Sequence, residues 1–197
     1  VVNQFNVWDD VYMFTLAGRS ITPLTQGARA RDPDFSPDGS RLLYVTNKAQ
    51  NNQLETMTVD RRRDALTANT DHTQYSTPRF SPDGKVVALS VWQDGRRDLW
   101  LYDTDGEPVR RLTEDGAIDA DPTWSKDGRW LFFTSDRTGI PNVYAIETAT
   151  ERLWQVTNVL TGATKPTVHP SGERMAYMEY TQDGWDIVVY DLSLIHI

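Results

Sequence analysis

The sequence predicts an all-β propeller, and three observations in its 197 residues predict it. A Pro-x-aromatic-Ser-Pro-Asp-Gly segment returns with a nearly constant step. A second marker, Leu-Thr or Val-Thr, returns with the same step behind it. Between the markers there is room for short strands but not for a helix longer than a turn or two.

The first marker has four copies: Asp32-Pro33-Asp34-Phe35-Ser36-Pro37-Asp38-Gly39, Thr77-Pro78-Arg79-Phe80-Ser81-Pro82-Asp83-Gly84, Asp121-Pro122-Thr123-Trp124-Ser125-Lys126-Asp127-Gly128 and Lys165-Pro166-Thr167-Val168-His169-Pro170-Ser171-Gly172. The glycines fall at 39, 84, 128 and 172, which are steps of 45, 44 and 44. The second marker is Leu24-Thr25, Leu66-Thr67, Leu112-Thr113 and Val156-Thr157. Two markers with one period identify a repeat architecture.

Each repeat reads as four strands. Strand A is the Pro-x-aromatic-Ser segment, with proline, which lacks an N–H, at its first residue. Ser-Pro-Asp-Gly then reverses the chain, because proline presets φ and glycine accepts a left-handed conformation. Strand B is a continuous apolar run: Leu42 to Val45, Val86 to Leu89, Trp130 to Phe133 and Met175 to Met178. A run without alternation implies burial on both faces. Strand C is Leu54 to Val59, Leu99 to Tyr102, Val143 to Ile146 and Ile187 to Tyr190. Strand D carries the Leu-Thr marker. Sheets buried on both faces stack as propeller blades.

Three repeats are whole, at about 32–70, 77–115 and 121–160. Residues 1–26 read as the later strands of an earlier blade, and 165–191 as strands A to C of a further one. The expectation is a partial propeller over 1–191. Residues 192–197 resemble the translation of a transposon-end adapter and are expected to be non-native.

Composition narrows the function. The net charge is −8, and the one basic cluster, Arg61-Arg62-Arg63, runs straight into Asp64. No basic stripe suited to nucleic acid is present. No apolar run approaches the roughly 18 residues of a membrane span. Cysteine is absent, which removes disulfides and thiolate metal sites.

The motif Pro-x-[Phe/Trp]-Ser-Pro-Asp-Gly, followed by an apolar strand and Leu-Thr, resembles the TolB-like propeller repeat from about residue 10 to 191. The resemblance implies a propeller of six blades when intact, which at about 44 residues per blade would need about 264. It implies a non-catalytic, protein-binding scaffold of the bacterial cell envelope, periplasmic or extracellular. The alternative it carries is a propeller gating a serine peptidase of the prolyl-oligopeptidase, dipeptidyl-peptidase or tricorn type, with the catalytic domain elsewhere. Either an outer-membrane barrel or a peptidase could be the covalent neighbour.

Candidate chemistry is sparse. No Gly-x-Ser-x-Gly elbow occurs, and the serines of Ser-Pro-Asp-Gly repeat, whereas a catalytic serine is needed once. No catalytic residue, cofactor or metal site is expected. His169 sits where other repeats have serine and reads as a turn residue. His72 lies in a polar loop where it could touch a ligand. Asp103-Thr104-Asp105-Gly106-Glu107 lacks the later ligands of a calcium loop and reads as a hairpin turn.

Binding is expected at one propeller end, where the D–A and B–C connections meet. The expected partner-binding residues are Arg31, Asp32, Asp121 and Lys165 at the channel mouth, with Trp92, Arg96, Arg97, Arg137 and Trp185 on the loops. The competing reading has Asp32 and Asp121 capping turns, Arg137 in a blade-to-blade ion pair, and Trp92 and Trp185 packing between blades.

Overall fold

The computed structural model describes residues 2–3, 9–48, 51–69 and 71–192. It consists of five antiparallel sheets, each built from strands consecutive in the chain. The first holds β1 (Val2–Asn3), β2 (Asp10–Thr15) and β3 (Ser20–Pro23). The second holds β4 (Arg31–Phe35), β5 (Arg41–Lys48), β6 (Asn51–Thr58) and β7 (Arg63–Ala65). The third holds β8 (Gln74–Phe80), β9 (Val86–Gln93), β10 (Arg96–Asp103) and β11 (Pro108–Arg111). The fourth holds β12 (Asp119–Trp124), β13 (Trp130–Ser135), β14 (Asn142–Glu147) and β15 (Leu153–Gln155). The fifth holds β16 (Ala163–Val168), β17 (Arg174–Thr181) and β18 (Gly184–Asp191). Of the expected non-native tail, Leu192 donates its N–H to the Glu173 carbonyl at 2.8 Å, and residues 193–197 lie outside the described residues.

The apolar runs of strand B build the cores. Successive strand residues point to opposite faces. So Leu42 and Tyr44 join Val11, Ala30 and Met57 on one side of their sheet. Leu43 and Val45 join Val87, Leu89 and Val91 of the next sheet on the other. Ala88 and Leu99 face Leu131 and Phe133, and Phe132 faces Met175 and Tyr177. The second, third and fourth sheets are packed on both faces, whereas the first and fifth pack on one and leave Phe14 and Ile21, and Ile187 and Val189, exposed. The innermost strands β4, β8, β12 and β16 neighbour one another in succession and so form an arc about the propeller axis.

The recurring threonine is a staple between strands. Thr25, Thr67, Thr113 and Thr157 accept, through Oγ1, the N–H of Val11, Leu54, Leu99 and Val143 at 2.8–3.0 Å. Thr25 and Thr157 also donate to Asp10 and Asn142 at 2.7 and 2.9 Å. All four threonines are buried, so these bonds satisfy groups that water cannot reach.

The three Ser-x-Asp-Gly turns, with Pro37, Pro82 and Lys126 at the second position, share one wiring. Ser36, Ser81 and Ser125 donate to Asp38, Asp83 and Asp127 at 2.6–2.7 Å. Those bonds hold the Asp38 and Asp83 carboxyls down at about 2. Successive turns nest: a Cβ on Gly84 would meet Pro37, and one on Gly128 would meet Pro82, each at 3.6 Å.

Candidate functional site: the inner strands and their connections

Proline does not open strand A as expected. The strands begin two to four residues before the proline, and the residue before each proline forms a bulge. Pairing slips by one between Arg31 and Asp34, Ser76 and Arg79, Ala120 and Thr123, and Thr164 and Thr167. Asp32, Thr77, Asp121 and Lys165 take φ of +53°, +48°, +53° and +54°. A proline has no N–H for the ladder, so a bulge is one of the few places inside a sheet that accepts it. A bulge also re-aims the side chain it carries.

Four of the expected residues thus belong to one ring of inner strands, and that ring is cross-linked. Asp32 Oδ2 accepts the Thr77 N–H at 3.1 Å. Asp34 Oδ2 accepts the Phe80 N–H at 2.9 Å. Trp124 Nε1 donates to the Arg79 carbonyl at 3.1 Å, and the Lys165 N–H donates to Thr134 Oγ1 at 3.0 Å. Asp32 is therefore engaged structurally, though by capping the next blade rather than a turn. Arg31 lies beside it, with Nη1 at 3.7 Å from Asp32 Oδ2.

Charge gathers around Asp121. Burial pushes its carboxyl up from the ordinary value; Lys165, Arg97 and Arg79 pull it back, while Asp32 pushes it further up. Asp34 is also raised, by burial, against the Phe80 N–H bond and Arg79. Arg79 and Asp34 were missed in the sequence because they read as ordinary strand residues. Aligning the repeats would have exposed them: Asp34, Arg79, Thr123 and Thr167 share a position and differ in charge.

The expected loop residues divide. Trp92, Arg96, Arg97 and Trp185 are not on loops. Tight hairpins, with Asp94 and Gly95 at φ +53° and +78° in the first, make the strands longer than expected and place these residues at strand ends. Trp92 and Arg97 are directly paired. Trp92 is 41% exposed, and Trp185 is 52% exposed beside Tyr180, with ring centroids at 5.2 Å. Arg97 is held inside its blade, donating to Ser90 at 3.1 Å and Ser76 at 2.6 Å. The Asn47–Asn52 connection includes residues 49–50, and the Thr70–Ser76 connection includes Thr70; these three lie outside the described residues.

Arg137 does lie on a loop, but it turns inward. Its guanidinium meets Asp119 at 3.0 Å and Asp115 at 3.1 Å, donates to Ser135, and lies over the Phe133 and Tyr144 rings. Asp119 is in Arg137's own sheet and Asp115 in the connection leading into it. Arg137 thus fastens a connection to its blade. Burial pushes Asp119 up, while Ser135, Thr113 and Arg137 pull it back.

His169 Nδ1 lies 3.0 Å from Ser171 Oγ. This pair takes the place of the Ser–Asp pair in the other turns, and the Gly172 N–H still closes on the His169 carbonyl at 2.8 Å. It is an exposed turn staple. The Asp103–Glu107 segment is a hairpin turn, with Asp103 Oδ1 accepting the N–H groups of Asp105 and Glu107. Among the described residues, no group of three or more His, Asp or Glu side chains gathers to hold a metal ion, and no helix is long and apolar enough to cross a membrane.

Comparison with known proteins agrees with this architecture. The sequence profile described as the TolB beta propeller domain matches residues 11–196. A protein TolB homolog of Chlorobium luteolum is 28% identical over 150 residues, covering 76% of this chain and 34% of that protein. The crystal structure of TolB from Acinetobacter baumannii superimposes with a TM-score of 0.85 at 19% identity, over 94% of this chain and 47% of that one. A puromycin-hydrolysing peptidase of Mycobacterium tuberculosis gives a TM-score of 0.75 at 14% identity, over 95% of this chain and 32% of that one. The chain therefore spans about a third to a half of these proteins, and the two structural likenesses carry the fold alone.

Proposed function

The chain belongs to the TolB β-propeller family, and on that premise we propose that it is a non-catalytic propeller that binds protein partners in the bacterial cell envelope, on the periplasmic side. The observation that supports this best is the ring of inner strands. Bulges hold Asp32, Asp121 and Lys165 on these strands; the Asp32 carboxylate accepts the Thr77 N–H and the Lys165 backbone N–H donates to Thr134, so charged residues are carried on a backbone fixed between neighbouring blades. Trp92, paired with Arg97, is half-exposed near the end of β9. Aromatic and arginine side chains are the usual anchors of protein interfaces, and preorganised groups lose little entropy on binding. The likeness to the mycobacterial peptidase reaches only the fold, so peptidase gating is the weaker reading.

The test is site-specific photo-crosslinking in the envelope of a Gram-negative host. A crosslinking residue at Trp92 is expected to give a discrete protein adduct. The same residue at Val109, exposed on the outer strand β11, is expected to give none. Asp121→Ala and Lys165→Ala should each reduce the Trp92 adduct several-fold. Equal adducts from both positions, or an adduct indifferent to both substitutions, would refute the proposal.

A further inference from the structure

A polar cavity of about 300 Å³ opens between the second and third sheets. Arg29 reaches it from the connection into β4 and Arg31 from the start of β4, Asn47 and Asn52 from the facing ends of β5 and β6, His72 from the connection into β8 and Gln74 from the start of β8. In a chain of net charge −8, it brings two guanidinium groups together with neutral amides.

The repeat shows that the fold does not require those arginines. The positions matching Arg31 hold Ser76, Ala120 and Thr164, and those matching Arg29 hold Gln74, Ile118 and Gly162. His72 matches Gly27, Gly116 and Leu160. Three blades fold with no basic group there.

The cavity is also rigidly built. Asn52 Oδ1 accepts the Tyr75 N–H at 2.6 Å, and its amide donates to Asn47 at 3.2 Å. Asn69 donates to the Asn52 and Thr73 carbonyls and accepts from the Tyr75 hydroxyl at 2.9 Å. Arg29 and His72 are held at φ +50° and +63°. Arg31 makes only long contacts, 3.7 Å to Asp32 and 3.4 Å to the Tyr75 carbonyl. Its fork of donors is suited to a bidentate acid.

We propose that this cavity binds a carboxylate group. The volume is at the lower end of small-ligand pockets, which run from about 300 Å³. Asp32 and Asp71 stand close to the arginines and His72, so a monoanionic carboxylate fits better than a phosphate dianion, which they would repel more strongly. The carboxylate could belong to an acidic segment of a protein, in which case the site deepens the partner-binding reading above, or to a free small acid, in which case it stands apart from it.

The experiment titrates the full chain with succinate, with the peptide acetyl-Gly-Glu-Gly-Glu-Gly-amide and with inorganic phosphate, by calorimetry and by following the histidine ring protons. Saturable binding of a carboxylate is expected, shifting His72 and leaving His169 unmoved. Arg29→Gln and Arg31→Gln should each weaken it at least tenfold, whereas Arg61→Gln, on an exposed turn, should not. Peptide binding tenfold tighter than succinate assigns the acid to a protein; equal affinities assign it to a small molecule. The proposal is overturned if neither carboxylate saturates, if phosphate binds more tightly than both, or if His72 stays silent during titration of the unmodified chain. Loss of the Trp92 adduct would leave the succinate result standing, so the two proposals fail separately.

Discussion

Gly106→Ala tests whether one blade's hairpin is pressed into its neighbour. Gly106 lies in the β10–β11 turn at φ +92°. A Cβ there would lie 2.2 Å from the Leu66 carbonyl oxygen and 2.7 Å from its carbon. Leu66 belongs to the Leu-Thr marker of the preceding blade, so backbone must move. Gly95, at φ +78° with nothing within 4 Å, is the matched control. Both alanines incur about 1–2 kcal/mol of left-handed strain. Both recover about 0.4–1 kcal/mol from a stiffer unfolded chain. Only Gly106→Ala adds overpacking, typically about 1–3 kcal/mol. The expected loss is therefore about 1 kcal/mol for Gly95→Ala and about 2–4 kcal/mol for Gly106→Ala. Urea denaturation followed by tryptophan fluorescence measures both, and with a slope of about 1–3 kcal/mol per molar the midpoints should separate clearly. Equal midpoints for the two variants would refute the packing argument.

Thr157→Val should cost about 1–3 kcal/mol in the same assay, because it strands the buried Val143 N–H and removes one of the two donors to the Asn142 amide oxygen, which keeps the Val159 N–H. Arg137→Ala should cost about 3–5 kcal/mol at pH 7 by leaving Asp119 buried and uncompensated; Asp119→Asn in that background should restore part of it, and the loss should shrink as pH falls and Asp119 takes up a proton. Carbon-13 NMR should find Asp38 and Asp83 titrating near 2, and Ser36→Ala or Ser81→Ala should return the matching carboxylate toward 3.8. These pKa values are depressed by folding, so their contribution to stability is complete above about 4 and is lost as pH falls from there through 2.

The blade pattern was legible because burial writes itself into composition. Leu42 to Val45 could only be a strand apolar on both faces, and the structure divides it between two cores. The Leu-Thr marker showed its period without its reason. A threonine hydroxyl bonding to another strand's N–H leaves no trace in local sequence, since its partner lies 14 residues away. The bulge was illegible for a different cause. Residues before proline are ordinarily extended, and nothing local in Asp32-Pro33 or Lys165-Pro166 signals a positive φ. The tight B–C hairpins were legible at Asp94-Gly95, a type of pair that favours such turns; reading the segment as a loop lost the strand-end positions of Trp92 and Arg97.

Comparing repeats position by position separates residues that make the fold from residues that vary, but variation alone does not identify a binding group. Arg137 and Arg31 make the point. Each is a basic residue at the same propeller end, and each was expected to meet a partner. Arg137 is 17% exposed in its side chain and neutralises Asp119, whose side chain is wholly buried. Removing it strands a charge, so the fold itself accounts for it. Arg31 is 36% exposed, and its nearest carboxylate, Asp32, is 3.7 Å away and already accepts the Thr77 N–H. No buried acid depends on Arg31, and three blades manage without a base at its position. The burial of the counter-charge, more than the rarity of the residue, decides which arginine the fold uses and which it leaves to the proposed carboxylate site.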